Sequence, residues 1–165
     1  MTNCYMGVDP GSKGGLVAVS DVQPPWFYNL EKGDPDGALD WTRNIVEEFD
    51  NVFAVLEQIP RSIFGIRKGD MSLLYGSYRE LRMILVSAGI PTEEAPVTPP
   101  ARTWFREFMS ARKKGESLAH WKGRHGDCAR ILYNDGSISD EMSDAYLLAE
   151  LCRRSRTGTL REVAL

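Results

Sequence analysis

The sequence predicts an α/β domain: a mixed sheet in which a three-strand antiparallel meander joins parallel strands, flanked by helices. Three observations predict it. The first thirty residues hold three short apolar runs separated by turn residues, an arrangement that suits antiparallel hairpins. A helical pattern then leads into a further apolar run, and the order strand, helix, strand implies a parallel crossover. The rest of the chain is dominated by helical spacing of its apolar residues.

The elements follow in order. Tyr5 to Asp9 reads as a strand in which Met6 and Val8 point one way and Gly7 and Asp9 the other, because side chains alternate. Leu16 to Val22 and Trp26 to Leu30 read as the second and third strands, set off by a Gly-rich turn and by Pro24-Pro25. Asp36 to Phe49 reads as a helix carrying Leu39, Ile45, Val46 and Phe49, with Asp34 or Asp36 as its cap. Val52 to Glu57 is so continuously apolar that burial on both faces is expected. Gln58 to Asp70 is a loop whose Ile63, Phe64 and Ile66 either return to the core or remain available to a partner.

Met71 to Ala88 reads as a long helix with Leu74, Tyr78, Leu81, Leu85 and Ala88 on one stripe, ended by Gly89. Glu93 to Val97 supplies a last strand, and Thr98 is placed to cap another helix with Pro99 and Pro100 in its first turn. Ser117 to Tyr133 is expected to be helical in part, with Gly123 and Gly126 weighing against its continuity. Ser139 or Asp140 caps a final helix running to about Arg154.

At 165 residues and 42% hydrophobic content, the chain suits a single domain spanning 1–165 with a full core. Repeats and dividing linkers are absent from the sequence. No apolar stretch approaches the roughly 20 residues that span a membrane, and the N-terminus lacks a basic region followed by a long apolar run. A soluble, cytoplasmic protein is the expectation. Cys4, Cys128 and Cys152 are odd in number and scattered, which reads as reduced thiols and not as a zinc or redox motif.

The net charge of -3 hides a local excess of cations. From Ala101 to Arg130 there are eight Lys or Arg against three acids, an excess of five. Arg61, Arg67 and Lys68 form a second basic group, and Arg153, Arg154, Arg156 and Arg161 a third. Carboxylates gather elsewhere, at the edges of apolar segments. Asp9 ends the first strand, Glu57 ends the fourth, and Asp140, Glu141 and Asp144 stand at the start of the last helix. Acids in a first helical turn favour the helix dipole, which accounts for Asp140. Asp144 instead abuts the apolar run Ala145-Tyr146-Leu147-Leu148-Ala149, where a carboxylate needs compensation, and a divalent cation shared with Asp9 and Glu57 would provide it. Acidic strand ends flanked by basic segments suit an enzyme that uses metal to act on a polyanion.

These residues carry a resemblance. Gly7-Val8-Asp9-Pro10-Gly11-Ser12-Lys13, Ala54-Val55-Leu56-Glu57-Gln58 and Glu141-Met142-Ser143-Asp144-Ala145-Tyr146-Leu147-Leu148-Ala149 resemble, in order and spacing, the three acidic motifs of the RuvC-like Holliday junction resolvases, a branch of the RNase H-like nuclease superfamily. Where the bacterial pattern commonly has two Asp on the helix, Glu141 stands at the first. The short chain and the Lys/His-rich stretch from Ala111 to His125 look more like phage-type members, which implies the cytoplasm of a bacterium or of a phage-infected host.

The resemblance implies an RNase H-like fold and a Mg²⁺-dependent endonuclease that makes paired, symmetric nicks in four-way DNA junctions during recombination or repair. It implies catalytic, metal-holding Asp9, Glu57, Glu141 and Asp144, with two Mg²⁺ (or Mn²⁺ as substitute) about 3.5–4 Å apart. Asp9 would bridge the ions, Glu57 and Asp144 would each bind one, and Glu141 would assist directly or through water. Candidates for gripping DNA are Ser12, Lys13, Arg61, Phe64, Arg67, Lys68, Lys113, Lys114, Lys122, Arg124 and His125, Phe64 as a base contact. Symmetric cutting implies a two-fold homodimer, for which the stripe of the helix from Met71 to Ala88 is either the interface or internal core.

Three other functions compete. A general RNase H-like nuclease acting on flaps or RNA/DNA hybrids would use the same acids. A catalytically silent junction-binding module would be expected to lack them. The turn from Asp9 to Gly15 also resembles the phosphate hairpin of actin-like ATPases, which need a second lobe that 165 residues cannot supply.

Overall fold

The computed structural model describes residues 1–11, 13–30, 34–59, 68–95, 104–110 and 112–160. Five strands form one sheet in the order β3-β2-β1-β4-β5. Strands β1 (Asn3–Asp9), β2 (Gly15–Ser20) and β3 (Trp26–Asn29) make the antiparallel meander, while β4 (Asn51–Glu57) and β5 (Thr92–Ala95) run parallel to β1. Helix α1 (Pro35–Glu48) provides the crossover between β3 and β4, and α2 (Lys68–Ser87) the one between β4 and β5. A single 3₁₀ turn (Trp104–Glu107), α3 (Leu118–Tyr133) and α4 (Ser143–Thr157) complete the chain.

Alternation along β1 divides the core into two layers. Cys4, Met6 and Val8 face Ile45 of α1 and Leu81, Ile84 and Leu85 of α2. Tyr5 faces the other way, towards Trp104, Ala129 of α3 and the buried run Ala145 to Ala149 of α4. Strand β4 contributes Ala54 and Leu56 to the first layer and Val55 to the second, so it is buried on both faces as its composition predicts. Gly7 is a point of close approach between sheet and helix. A Cβ there would lie 2.0 Å from the Ala145 carbonyl oxygen and 2.2 Å from the Ala149 nitrogen, so only glycine lets α4 settle on β1.

Several local expectations change. Asp34, not Asp36, caps α1, its Oδ1 accepting from the Gly37 N–H at 2.8 Å. Helix α3 is continuous through Gly123 and Gly126; a Cβ on Gly126 would come within 2.2 Å of Asp140 Oδ1, so packing against the following turn accounts for this glycine inside a helix. Neither Ser139 nor Asp140 caps α4, which begins at Ser143 without a side-chain cap. Asp140 instead accepts from Arg130 at 3.1 Å and ties the turn to α3. On α2, Leu81 and Leu85 are internal, and the exposed apolar residues are Leu73, Met83 and Val86. The expected helix from Thr98 begins outside the described residues, as do Ser12, Arg61, Phe64 and Arg67; Lys68 is described only as the first residue of α2.

Candidate active site

The parallel register of β1 on β4 pairs Val8 with Leu56, so Asp9 and Glu57 follow side by side at the C-terminal ends of adjacent strands. Both belong to the sheet face covered by α4, two residues beyond Gly7 and Val55 respectively. Asp144 enters the same space from the first turn of α4. Asp9 is fixed from behind: its Oδ1 accepts the Gly11 N–H at 2.8 Å, and Gly14 packs so tightly that a Cβ would lie 2.2 Å from the Asp9 carbonyl oxygen.

Asp9 and Glu57 feel each other and the charge of Asp144. Loss of surrounding water, followed by the charge of Asp144, holds the Asp9 carboxyl up at about 6. Burial, then the charges of Asp9 and Asp144, push Glu57 well above the ordinary carboxylate range. Asp9 and Glu57 stand close enough on their adjacent strands for each to shift the other. The cation that offsets both is Lys122, an exposed residue in the second turn of α3. Among the basic candidates of α3, Lys122 is the one whose charge is felt at both Asp9 and Glu57.

Asp144 has a partner of its own. The Nδ1 of His125 lies 2.5 Å from its Oδ1. His125 is only 1% exposed, and its ring is packed edge-on between Trp121, with centroids 4.5 Å apart, and Trp104, at 6.3 Å. The DNA contact expected of His125 meets a buried imidazole, whose Nδ1 faces Asp144. Trp104 is itself pinned, because the 3₁₀ turn that carries it ends in Glu107, which accepts from Arg154 of α4 at 2.7 Å.

Other candidates separate from the acid cluster. Glu141 is not on α4 and shares no helix face with Asp144; it lies exposed in the preceding turn and accepts from Lys13 Nζ at 2.6 Å. Arg124 is occupied by Glu116 and Ser110, whereas Lys113 and Lys114 are exposed. Of the tail arginines, Arg153 and Arg154 pair with the buried Glu150 and Arg156 pairs with Glu93, while Arg161 lies outside the described residues. The pairing of His125 with Asp144 had one signal in sequence, since Trp121, His125 and Ala129 recur at four-residue spacing on an apolar stripe.

Among the described residues, no group of three His, Cys, Asp or Glu side chains is arranged as a finished metal cage. The chemistry of the donor set nonetheless fits a hard divalent cation. Asp9, Glu57 and Asp144 offer oxygen alone, and burial followed by the neighbouring carboxylate charges raises Asp9 and Glu57, a setting that a bound cation would relieve.

Two solved structures share this fold. One is Thermus thermophilus RuvC in complex with a Holliday junction substrate, with a TM-score of 0.64 and 12% identity over 96% of this chain and 98% of that one. The other is Thermus thermophilus RuvC, with a TM-score of 0.51 and 12% identity over 98% of this chain and 99% of that one. No family model matches the chain, and no curated protein matches it in sequence.

Proposed function

We propose that this chain is a Mg²⁺-dependent endonuclease that resolves four-way DNA junctions by paired nicks. The observation that carries the reading is the convergence of Asp9, Glu57 and Asp144 from three separate elements, with mutual repulsion, on a fold similar to that of RuvC. Divalent ions held by these carboxylates would activate a water and stabilise the departing 3′ oxygen of a phosphodiester.

The chain's own residues supply the setting. The Gly11 N–H fixes one oxygen of Asp9, leaving the other free to turn towards a ligand. His125 fixes one oxygen of Asp144 in the same way. Lys122, already within the field of Asp9 and Glu57, is the side chain that would meet the scissile phosphate and offset charge developing on it. Glu141 and Lys13 would stand at the rim, where their ion pair is exposed and open to competition from a phosphate.

A two-fold homodimer would supply the second cut, and the exposed Leu73, Met83 and Val86 of α2 are the apolar residues available to an interface there. The test is a Mg²⁺-dependent cleavage assay on a four-way junction, a flap, a linear duplex and an RNA/DNA hybrid. Preferential cutting of the junction supports the reading, and equal cutting of all four overturns the junction assignment.

A further inference from the structure

The segment between the 3₁₀ turn and α3 is built around an acid. Glu116 is 7% exposed at its side chain, yet Arg112 to Gly115 before it and Ser117 after it are exposed. Its Oε2 accepts the Lys113 N–H at 2.9 Å and Arg124 Nη2 at 3.0 Å. Its Oε1 lies 3.0 Å from Arg124 Nε and 2.9 Å from His120 Nδ1. Its backbone takes part as well, the carbonyl accepting from Arg112 Nε at 2.8 Å and the N–H donating to the Lys113 carbonyl at 3.1 Å. Gly115, at φ +84°, closes the turn, and Arg124 reaches back to Ser110 Oγ at 3.1 Å.

An acid among DNA-facing cations opposes binding if charge alone matters. Here the charge of Glu116 is matched by Arg124, so the cations left over are Arg112, Lys113 and Lys114. Holding these residues in one conformation beforehand removes an ordering cost that a loose loop would meet on binding. The turn also leads directly into α3, whose Lys122 reaches the acid cluster only five residues after the capping Ser117.

We propose that Glu116 is a positioning residue for DNA: it folds the segment from Arg112 to Ser117 into a fixed basic turn that presents Lys113 and Lys114 to the phosphate backbone. The proposal rests on the junction-nuclease reading above. It inverts the sign expected from electrostatics, because deleting this negative charge weakens the grip on a polyanion.

The test is fluorescence anisotropy of a labelled four-way junction in EDTA over a salt series, with the full chain and its variants. Glu116→Ala is expected to bind about tenfold more weakly than wild type, and Glu116→Gln, which keeps an acceptor for the Lys113 N–H, to fall between them. Lys113→Ala with Lys114→Ala lowers the salt slope by about two, and adding Glu116→Ala to that pair costs nothing further, since Glu116 acts through the lysines. Trypsin should cut after Lys113 and Lys114 faster in Glu116→Ala than in wild type, with the rest of the chain protected. Binding by Glu116→Ala and Glu116→Gln that equals or exceeds wild type overturns the proposal while leaving the nuclease reading intact. A wild-type protein that does not bind the junction overturns both.

Discussion

Asp9→Asn isolates the electrostatic cost of assembling the acid cluster. Asparagine matches the aspartate in shape and keeps an oxygen to accept the Gly11 N–H, now at 2.8 Å, while losing the charge. The Asp9 carboxyl stands at about 6 against an ordinary 3.8, about two units, which corresponds to about 3 kcal/mol by the usual conversion. A raised folded pKa means that the folded protein holds its proton longer than the unfolded chain does. The metal-free protein is therefore most stable below about pH 4 with respect to this group, and that advantage is lost as pH rises to and through about 6. Because the group is partly open to solvent and shares its repulsion with Glu57, 3 kcal/mol is an upper bound.

Asp9→Asn should consequently raise the melting temperature of the metal-free protein at pH 8, by up to about 6–12 °C at about 2–4 °C per kcal/mol for a domain of this size. The gain should shrink towards zero near pH 4. Mg²⁺ should raise the melting temperature of wild type and leave that of the variant nearly unchanged. Scanning calorimetry at pH 4, 6 and 8 with and without Mg²⁺ reads all of this. A variant that is less stable than wild type at pH 8 without metal, or that gains as much from Mg²⁺, would refute the reasoning.

Three further outcomes are expected. His125→Ala leaves Asp144 without its partner and opens space between Trp104 and Trp121, so it should cost about 2–4 kcal/mol in urea unfolding and lower junction cleavage more than junction binding. Gly7→Ala places a methyl group 2.0 Å from the Ala145 carbonyl, a backbone atom that cannot step aside, and expression trials should find it insoluble or destabilised by more than about 4 kcal/mol. Wild-type protein should sediment at twice the 18.5 kDa chain, and Leu73→Glu with Met83→Glu should give folded monomers that nick without resolving; a wild-type monomer on the junction that still makes paired cuts would remove the dimer from the mechanism.

The sheet was legible because each strand announces itself locally. Asp9 and Glu57 end apolar runs, and the parallel register that sets them side by side follows from the strand-helix-strand order. Glu141 was misplaced for a physical reason: the chain between α3 and α4 is held by Arg130 through Ile138 and Asp140, which keeps residues 139–142 in turns and delays the helix to Ser143. Such contacts join residues eight and ten apart and leave no periodic trace. Charge counts misled at the tail, where Arg153, Arg154 and Arg156 are spent on Glu150, Glu107 and Glu93. Helical spacing on α2 found a real stripe but could not say that the Leu81 and Leu85 side belongs to the core.

Cutting of a supercoiled plasmid that extrudes a cruciform tests the central claim most directly, because its products distinguish paired from single nicks. In Mg²⁺ the wild-type protein should convert the plasmid to linear form, with Asp9→Asn, Glu57→Gln and Asp144→Asn leaving it supercoiled. Accumulation of nicked circles alone, or linear product from Asp9→Asn at the wild-type rate, would contradict a junction-resolving site built on Asp9, Glu57 and Asp144.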